Sequence, residues 1–283
     1  METIIENISD FDLQQTLECG QCFRWSRDGQ GIYTGVACGM VLRARQEGST
    51  LILKGVGEKD DTGSWIDYFD LGTDYAHIKE TLSRDNVLNR AIRRFPGIRI
   101  LRQELVETTL SFILSTNNNI PRIKGNIEGL CKRFGKEVSF DGKTYHAFPE
   151  VERIAQSTCE EVSLCKGGYR CAYILETSGM MSKRPITRES MAAMGYEKAR
   201  STLKTFRGVG DKAAECILLF SCGYLNAFPV DVWIKRIMEA YYIKKSVSSA
   251  YVARYGQEIF GPLAGYAQQL LFSYARENKT GVG

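Results

Sequence analysis

The sequence predicts an α+β protein in which an antiparallel, β-rich N-terminal domain precedes an all-helical body. Short segments of strand-like composition, separated by glycine turns, occupy the first third of the chain. Apolar residues then recur at helical spacing, and strand signals become few. From this change of pattern we expect domains at residues 1–95, 96–195 and 196–283, the last two being helical. A chain of 283 residues is long enough to bury a substantial core in this arrangement.

The β-rich domain is predicted from tight turns between short strand-like segments. Asp28-Gly29 is a strong hairpin dipeptide, and Gly48-Ser49 marks a second turn. Connections this short favour antiparallel pairing, because parallel strands need a long crossover. The predicted strands are residues 21–25, 31–38, 41–45 and 51–54.

After Trp65 the spacing of apolar residues becomes helical. An aromatic stretch at residues 68–71 leads into one long predicted helix that ends near Arg94, before Pro96-Gly97. Further helices are predicted at residues 101–113, 120–134, 150–158, 168–180, 188–204, 211–222, 231–241, 247–259 and 262–277.

The composition narrows the class of protein. The net charge of +4 is a mild basic bias, which permits an anionic partner without requiring one. No stretch approaches the roughly 18 consecutive apolar residues that span a bilayer. The polar, acidic start also lacks the features of a secretory or transit segment. We therefore expect a soluble intracellular protein, cytoplasmic in a prokaryote or nuclear in a eukaryote, with no membrane partner.

The nine cysteines predict reduced thiols rather than a disulfide framework, because their number is odd and no signal segment is expected. Cys19 and Cys22 have the spacing of a zinc or redox pair, but the chain has only His77 and His146 to complete a metal site. No cysteine follows Cys222, which excludes a C-terminal iron–sulfur cluster. We expect no metal site, and two partly buried thiols are the favoured interpretation of the pair.

The most informative stretch is FRGVGDKAAEC at residues 206–216. A helix ending near Lys204 and another beginning near Asp211 flank the turn Gly208-Val209-Gly210. Two glycines around one apolar residue allow backbone N–H groups to approach a phosphate closely, and the second helix adds its dipole. This helix-hairpin-helix predicts phosphate binding, although the turn taken alone could simply join two helices.

Lys212 and Asp231 are the candidate catalytic residues. Lys212 lies in the first turn of the second helix, where the dipole disfavours the ammonium form, and a neutral amine is what nucleophilic attack on a sugar carbon needs. Asp231 follows Pro229 at the start of another helix, and a carboxylate facing the lysine can stabilise positive charge at the sugar. Taken in isolation, Lys212 could be an exposed lysine and Asp231 a simple N-cap.

Six motifs, in the same order as in the family, resemble the bifunctional helix-hairpin-helix DNA glycosylases, and specifically the 8-oxoguanine DNA glycosylase/AP lyase family. The resemblance covers nearly the whole chain. The motifs are Gly20–Trp25, Leu110–Ile120, Gly168–Arg170, Gly208–Lys212, Pro229–Asp231 and Gly265–Ser273.

The resemblance implies a role for each motif residue. Lys212 matches the Schiff-base nucleophile, and Asp231 matches the aspartate beside it. Gly20 matches the glycine whose carbonyl accepts the N7 hydrogen that 8-oxoguanine has and guanine lacks. Guanine would leave this buried acceptor unpaired, which costs about 1–3 kcal/mol, and this cost can discriminate 8-oxoguanine from guanine.

Three further residues are implied to surround the flipped base. Gln268 matches the residue that reads the Watson–Crick edge, Phe272 the aromatic ring stacked on the base, and Cys216 the thiol on the opposite face. Gln268 and Phe272 are four residues apart, so one helix face can present both. Without the resemblance, Phe272 could equally be a core residue and Gln268 an exposed one.

The resemblance also implies contacts with the DNA around the extruded nucleotide. Asn117, Arg122 and Arg170 are expected to contact the orphaned cytosine, and Tyr169 is expected to wedge into the base stack. Asn119 belongs to the same asparagine run and could bind bases or phosphates. The presence of both arginines predicts a preference for cytosine opposite the lesion.

The chain departs from the family pattern at two positions. Trp233 stands where well-known members have a histidine near a phosphate, and Arg207 replaces the proline usual before the hairpin. In addition, a basic run could lie along the DNA backbone or be a solvated face. It consists of Arg90, Arg93, Arg94, Arg99 and Arg102.

The function implied is excision of 8-oxoguanine from duplex DNA through a lysine imine, followed by β-elimination, by a monomeric enzyme. No cofactor is expected, although a structural monovalent cation could bind hairpin carbonyls. Two alternatives remain. An alkylpurine glycosylase would not need Lys212, and a non-catalytic damaged-DNA binding module would not need Lys212 or Asp231.

Overall fold

The structure, a computed structural model, describes residues 2–56 and 62–280. The strands of its N-terminal sheet are β1 (Glu2–Ile5), β2 (Trp25–Arg27), β3 (Tyr33–Ala37), β4 (Met40–Glu47) and β5 (Thr50–Val56). They pair antiparallel in the order β1-β5-β4-β3-β2. An antiparallel N-terminal sheet attached to a helical body confirms the predicted fold class.

Both predicted turns join neighbouring strands of the sheet. Asp28 stabilises the first, since its Oδ1 accepts hydrogen bonds from the N–H groups of Gln30 and Ile32, both at 2.9 Å. Gly48, with φ of +59°, lies in the second, between β4 and β5. That positive φ favours glycine over residues with a side chain.

The predicted strand at residues 21–25 is wrong except for Trp25. Gln21 is fully buried, and its amide donates to the Thr16 carbonyl at 2.9 Å and accepts from the Leu101 N–H at 2.9 Å. Hydrogen bonds from this side chain therefore satisfy the local backbone in place of strand pairing. The edge strand β1 was not predicted.

The helical body confirms most of the helices predicted after residue 100. The helices of the described residues are α1 (Leu13–Glu18), α2 (Thr62–Tyr68), α3 (Tyr75–Leu82), α4 (Asn86–Arg94), α5 (Leu105–Ser115), α6 (Ile120–Phe134), α7 (Val151–Ala155), α8 (Cys159–Ser163), α9 (Arg170–Lys183), α10 (Arg188–Ala192), α11 (Tyr196–Leu203), α12 (Asp211–Phe220), α13 (Val232–Ile237), α14 (Ser249–Phe260) and α15 (Ala264–Glu277). A π-helical stretch follows α13, and a 3₁₀ turn precedes α15.

The single long helix predicted up to Arg94 is wrong, because two N-caps interrupt it. Asp74 begins α3 by accepting from the His77 N–H at 3.1 Å, and Asp85 begins α4 by accepting from the Leu88 N–H at 2.8 Å. Aspartate at an N-cap satisfies N–H groups that would otherwise lack a partner, so it marks a helix start.

A small hairpin that the sequence did not predict lies within the helical body. It consists of β6 (Glu137–Phe140) and β7 (Lys143–His146). Phe140 packs with Val36 and Val41 in a separate apolar cluster. The hairpin therefore contacts the N-terminal sheet.

The described residues form two main cores, one under the N-terminal sheet and one within the helical body. The first packs the sheet against α1 and α2, and it includes Trp65 and Leu101. The second fills the helical body, from Phe23 to Ala275. Because Leu101 belongs to the sheet core, the N-terminal packing continues past residue 95. The domain limits at 95 and 195 stay predictions.

The basic run is not one continuous DNA-facing stripe. Arg99 is 2% exposed, and its guanidinium donates to the carbonyl oxygens of Ser9, Asp70 and Thr73. Arg102 pairs with Asp67 and Asp70, and Arg94 pairs with Glu277. These arginines tie together parts of the fold. No helix in the described ranges is long and apolar enough to cross a membrane.

Candidate active site and DNA-binding surface

One pocket of about 470 Å³ gathers all six residues predicted for catalysis and base binding. Its walls come from the segment after α1 and from helices α5, α6, α12 and α15, with the start of α13. The volume is typical of small-ligand sites. The six residues are Gly20, Lys212, Cys216, Asp231, Gln268 and Phe272.

Lys212 is held over an aromatic ring at the start of α12. Its Nζ lies 4.8 Å from the centroid of the Phe112 ring, which stacks on Phe220. Cys216 lies one turn further along the same helix and also lines the pocket. Burial raises the pKa of Cys216 to about 11, so this thiol stays neutral near pH 7. Phe112 was not selected from the sequence, because an apolar residue within a buried helix resembles any other core residue.

Asp231 is an N-cap and also lines the pocket. Its Oδ1 accepts from the Ile234 N–H at 2.9 Å and so begins α13. Burial raises the pKa of this carboxyl, and the Ile234 hydrogen bond and the charge of Lys212 oppose that rise. Asp231 and Lys212 therefore line the same pocket, and a catalytic role for Asp231 stays a prediction.

The base-binding residues lie on α15 and on the segment after α1. Gln268 is buried, and its Nε2 donates to the Pro229 carbonyl at 3.1 Å, while its Oε1 has no hydrogen-bond partner among the described residues. Gly20 has φ of +85°, and a Cβ built there would lie 3.3 Å from Cε1 of Phe272. The absence of a side chain at Gly20 thus leaves room for the aromatic wall.

The predicted DNA contacts around the wedge divide into exposed and buried groups. Tyr169 is 53% exposed and stands beside Tyr173, with ring centroids 5.6 Å apart. Arg170 is buried, and its guanidinium donates to the carbonyls of Thr116, Gly167 and Asn117 at 2.7–3.1 Å. Arg170 therefore orders the loop that carries Asn117. A contact between either residue and the orphaned cytosine stays a prediction.

The other asparagine of the prediction caps a helix. Asn119 accepts from the Arg122 N–H at 3.1 Å, begins α6 and lines the pocket. The Arg122 side chain is exposed at the same helix end. Asn118 is held within the protein by hydrogen bonds to Leu114 and Asn126. Arg122 is thus accessible to a bound nucleic acid.

The hairpin has the geometry that the sequence predicted. Gly208 has φ of +89°, and a Cβ there would lie 2.7 Å from the Tyr173 side chain. Val209 is buried, and Gly210 is the N-cap of α12 but offers no side-chain acceptor to its first turn. The N–H groups of that turn are therefore available to an anion.

Arg207, where the family has proline, is occupied with protein contacts. Its guanidinium pairs with Glu176 and lies 5.0 Å from the centroid of the Tyr173 ring. The departure thus adds a surface tie between the hairpin and α9. At the other position that departs from the family pattern, Trp233 lines the pocket, and the Arg236 guanidinium lies against its ring.

Across the part of the chain that the structure describes, no group of three or more His, Cys, Asp or Glu side chains could hold a metal ion. A monovalent cation at the hairpin would use backbone carbonyls instead. That site stays a prediction.

Comparison with known proteins matches two family models over most of the chain. Residues 3–109 match the 8-oxoguanine DNA glycosylase N-terminal domain, and residues 110–262 match the HhH-GPD superfamily of base excision DNA repair proteins. The chain is 30% identical over a 301-residue alignment to a probable N-glycosylase/DNA lyase of Methanothermobacter thermautotrophicus, covering 96% of this chain and 95% of that one.

Two solved structures share the fold along nearly their whole length. MBOgg1 in complex with a low-affinity DNA ligand is 42% identical, with a TM-score of 0.95 and coverage of 98% of this chain and 96% of that chain. The Clostridium acetobutylicum 8-oxoguanine glycosylase/lyase, bound to double-stranded DNA with cytosine opposite 8-oxoguanine, is 39% identical, with a TM-score of 0.94 and the same coverage. This protein therefore belongs to the 8-oxoguanine DNA glycosylase/AP lyase family of the helix-hairpin-helix superfamily.

Proposed function

We propose that this protein excises 8-oxoguanine, preferably opposite cytosine, from duplex DNA and then cleaves the strand at the resulting site. The observation that carries the proposal is the single pocket that joins Lys212 and Asp231 with the base-binding residues. A nucleophile, a carboxylate and a base-sized cavity are the components that lysine-dependent glycosyl transfer requires.

In the first step, the Lys212 amine attacks C1′ of the extruded nucleotide as the bond between C1′ and the base breaks. The electron pair of that bond leaves with the base, which is then protonated. The Asp231 carboxylate stabilises the positive charge that develops at the sugar. The Phe112 ring holds the Lys212 side chain in the pocket.

In the second step, the sugar ring opens and the bond between C1′ and Nζ becomes an imine. The imine acidifies the hydrogens at C2′, so a base removes one of them and the 3′ phosphate departs by β-elimination. The nucleophile is thereby joined covalently to the DNA until water hydrolyses the imine. Strand cleavage on the 3′ side follows from this chemistry without a metal ion.

Recognition of the lesion uses the remaining pocket residues. The Gly20 carbonyl accepts the N7 hydrogen of 8-oxoguanine, the unpartnered Oε1 of Gln268 accepts from the Watson–Crick edge, and Phe272 stacks on the ring. Outside the pocket, Tyr169 fills the space left by the base. Arg122 and the loop ordered by Arg170 contact the orphaned cytosine.

The wider setting follows from this chemistry. The partner is duplex DNA, whose backbone phosphate binds at the hairpin, with a structural monovalent cation on the hairpin carbonyls. One chain carries the whole pocket, so the protein acts as a monomer. Its substrate is genomic DNA, which supports a location inside the cell, in the cytoplasm of a prokaryote or the nucleus of a eukaryote.

The experiment is borohydride trapping on a duplex with one 8-oxoguanine opposite cytosine. Borohydride reduces an enzyme–DNA imine to a stable covalent adduct. We expect an adduct with the wild type and with Lys198→Gln, a matched control because Lys198 is exposed on α11, and none with Lys212→Gln.

Other outcomes would select the alternatives. Base release by the wild type without an adduct would indicate a water-using glycosylase. Neither base release nor adduct, with tight binding of the damaged duplex, would indicate a non-catalytic damage-binding module. Release of alkylated purines alone would indicate an alkylpurine glycosylase.

A further inference from the structure

Residues 18–21, at the end of α1 and just after it, carry four consecutive backbone carbonyl groups. Three of them, those of Glu18, Cys19 and Gln21, accept hydrogen bonds from side chains of distant helices or loops. Arg276 Nη2 donates to the Glu18 carbonyl at 2.8 Å, and Gln269 Nε2 donates to the Cys19 carbonyl at 2.9 Å. Gln103 Nε2 donates to the Gln21 carbonyl at 2.8 Å.

The carbonyl that remains is that of Gly20. Within residues 2–56 and 62–280, no hydrogen bond is formed to it, although Gly20 lines the pocket. Glycine with φ of +85° has no side chain to restrict it, so its own covalent structure does not fix the direction of this carbonyl. Contacts on either side of Gly20 must therefore supply the restriction.

The Cys19 thiol provides such a contact through the side chain of Gln21. Gln21 Nε2 donates to the Cys19 sulfur at 3.2 Å, so the residues on the two sides of Gly20 are joined directly. The Gln269 bond to the Cys19 carbonyl fixes the peptide group before Gly20, because a peptide group is planar. With both neighbours of Gly20 held, its carbonyl keeps one direction.

Burial keeps the Cys19 thiol in one protonation state. Cys19 is 2% exposed, and its thiol donates to the Thr16 carbonyl at 3.1 Å. Burial raises the pKa of Cys19 to about 11, so the group is a neutral thiol at physiological pH. A neutral thiol can donate to one neighbour and accept from others, which is the arrangement seen here.

We propose that Cys19 and Gln269 are positioning residues that aim the Gly20 carbonyl and thereby set the preference for 8-oxoguanine over guanine. The inference rests on the proposed function, because it assumes that the Gly20 carbonyl meets the base. Arg276 supports the same wall by holding Glu18 and by lying 5.3 Å from the centroid of the Phe272 ring.

The test measures base preference rather than rate. Each variant is combined with Lys212→Gln, which prevents turnover. Dissociation constants are then measured by fluorescence anisotropy for two duplexes that differ only in 8-oxoguanine or guanine opposite cytosine. For Gln269→Leu we expect the ratio of the two constants to fall roughly tenfold, because the acceptor is no longer aimed at the N7 hydrogen.

Cys19 supplies a second, independent variant pair. Cys19→Ala removes the sulfur that accepts from the Gln21 side chain, and we expect a similar fall in the ratio. Cys19→Ser retains a group that can donate and accept, so the preference should be largely restored. A purely structural role of Cys19 in packing would not give this pattern.

Gln46→Leu is the matched control. The Gln46 amide also holds backbone carbonyls, those of Phe11 and Gly48 at 2.9 Å, but it lies on β4 away from the pocket. This variant should lower the thermal midpoint without changing the ratio. Thermal unfolding of every variant shows whether a lost preference reflects a lost fold.

The outcomes separate the two proposals. If the Lys212→Gln parent prefers 8-oxoguanine and both Gln269→Leu and Cys19→Ala retain that preference, the positioning role is wrong and the proposed function stands. If the parent itself binds both duplexes equally, the proposed lesion is wrong, and the positioning role is overturned with it.

Discussion

Two walls of the pocket are placed by different means. The catalytic wall, which consists of Lys212 and Asp231, is placed by helix starts: Lys212 lies two residues after the N-cap of α12, and Asp231 is the N-cap of α13. The recognition wall, which consists of residues 18–21 and α15, is placed by hydrogen bonds between groups as far apart as 258 residues. If the proposed roles hold, the chemistry depends on local backbone geometry, whereas base selection depends on long-range contacts.

The largest expected effect tests whether the two walls act separately. For Asp231→Asn we expect single-turnover release of 8-oxoguanine to slow by on the order of 100-fold, because the sugar loses its stabilising carboxylate. Asparagine is about as good an N-cap as aspartate, so the thermal midpoint should change little. The preference for 8-oxoguanine over guanine should be unchanged.

Asp74→Asn is the matched control, because Asp74 is an N-cap remote from the pocket, at the start of α3. It should leave both rate and preference as in the wild type. A parallel loss of rate and preference in Asp231→Asn would break the separation between the walls.

The pH dependence of the same step gives a sharper test. Burial raises the pKa of Asp231, and its ionised form is the active one. The rate of base release should therefore fall as pH decreases through the raised pKa, beginning at a higher pH than for an ordinary aspartate and approaching tenfold per pH unit. Compared with the wild type, a single-turnover profile of Asp231→Asn should lack the fall in rate that belongs to this carboxyl, and an unchanged profile would assign the fall to another group.

A smaller effect is expected where the hairpin meets α9. Gly208→Ala would place a side chain at a positive φ, with its Cβ only 2.7 Å from the Tyr173 side chain. We therefore expect the variant to lose about 1–3 kcal/mol of stability and to bind DNA more weakly. Gly223→Ala is the matched control, since φ there is also positive, at +77°, but a Cβ meets nothing within 4 Å. Thermal unfolding and anisotropy would measure both, and equal losses would show that the Tyr173 contact is not limiting.

The smallest expected effect concerns Arg207. Its ion pair with Glu176 joins side chains that are 58% and 45% exposed, so Arg207→Ala should cost no more than about 1 kcal/mol of stability. Thermal unfolding at low and high salt would measure it. A salt-independent loss well above this value would mean that Arg207 fixes the hairpin through packing.

Much of the fold could be predicted because its signals are local. Helix α6 was predicted at residues 120–134, which are also its observed limits. Both ends have local signals, because Asn119 caps the start of the helix and Gly135 follows its end. The prediction missed the start of α4 at Asp85. This N-cap is also a local signal, but the long apolar pattern around it obscured it. By contrast, nothing near Glu137 indicated the β6–β7 hairpin, whose Phe140 packs on the distant N-terminal sheet.

The candidate site also combines features with local sequence signals and features that distant contacts set. The sequence by itself determined the tight turn Gly208-Val209-Gly210 and the helix starts that carry Lys212 and Asp231, because glycine, proline and N-cap residues restrict the backbone within a few positions. The roles of nucleophile, carboxylate and phosphate-binding turn stay predictions from the resemblance. Only the tertiary structure decided that Gln269 holds the carbonyl next to that of Gly20, that Phe112 lies under Lys212, and that Arg170 orders the loop that carries Asn117. Such contacts join elements far apart in the chain, so no spacing in the sequence encodes them, and packing alone brings them together.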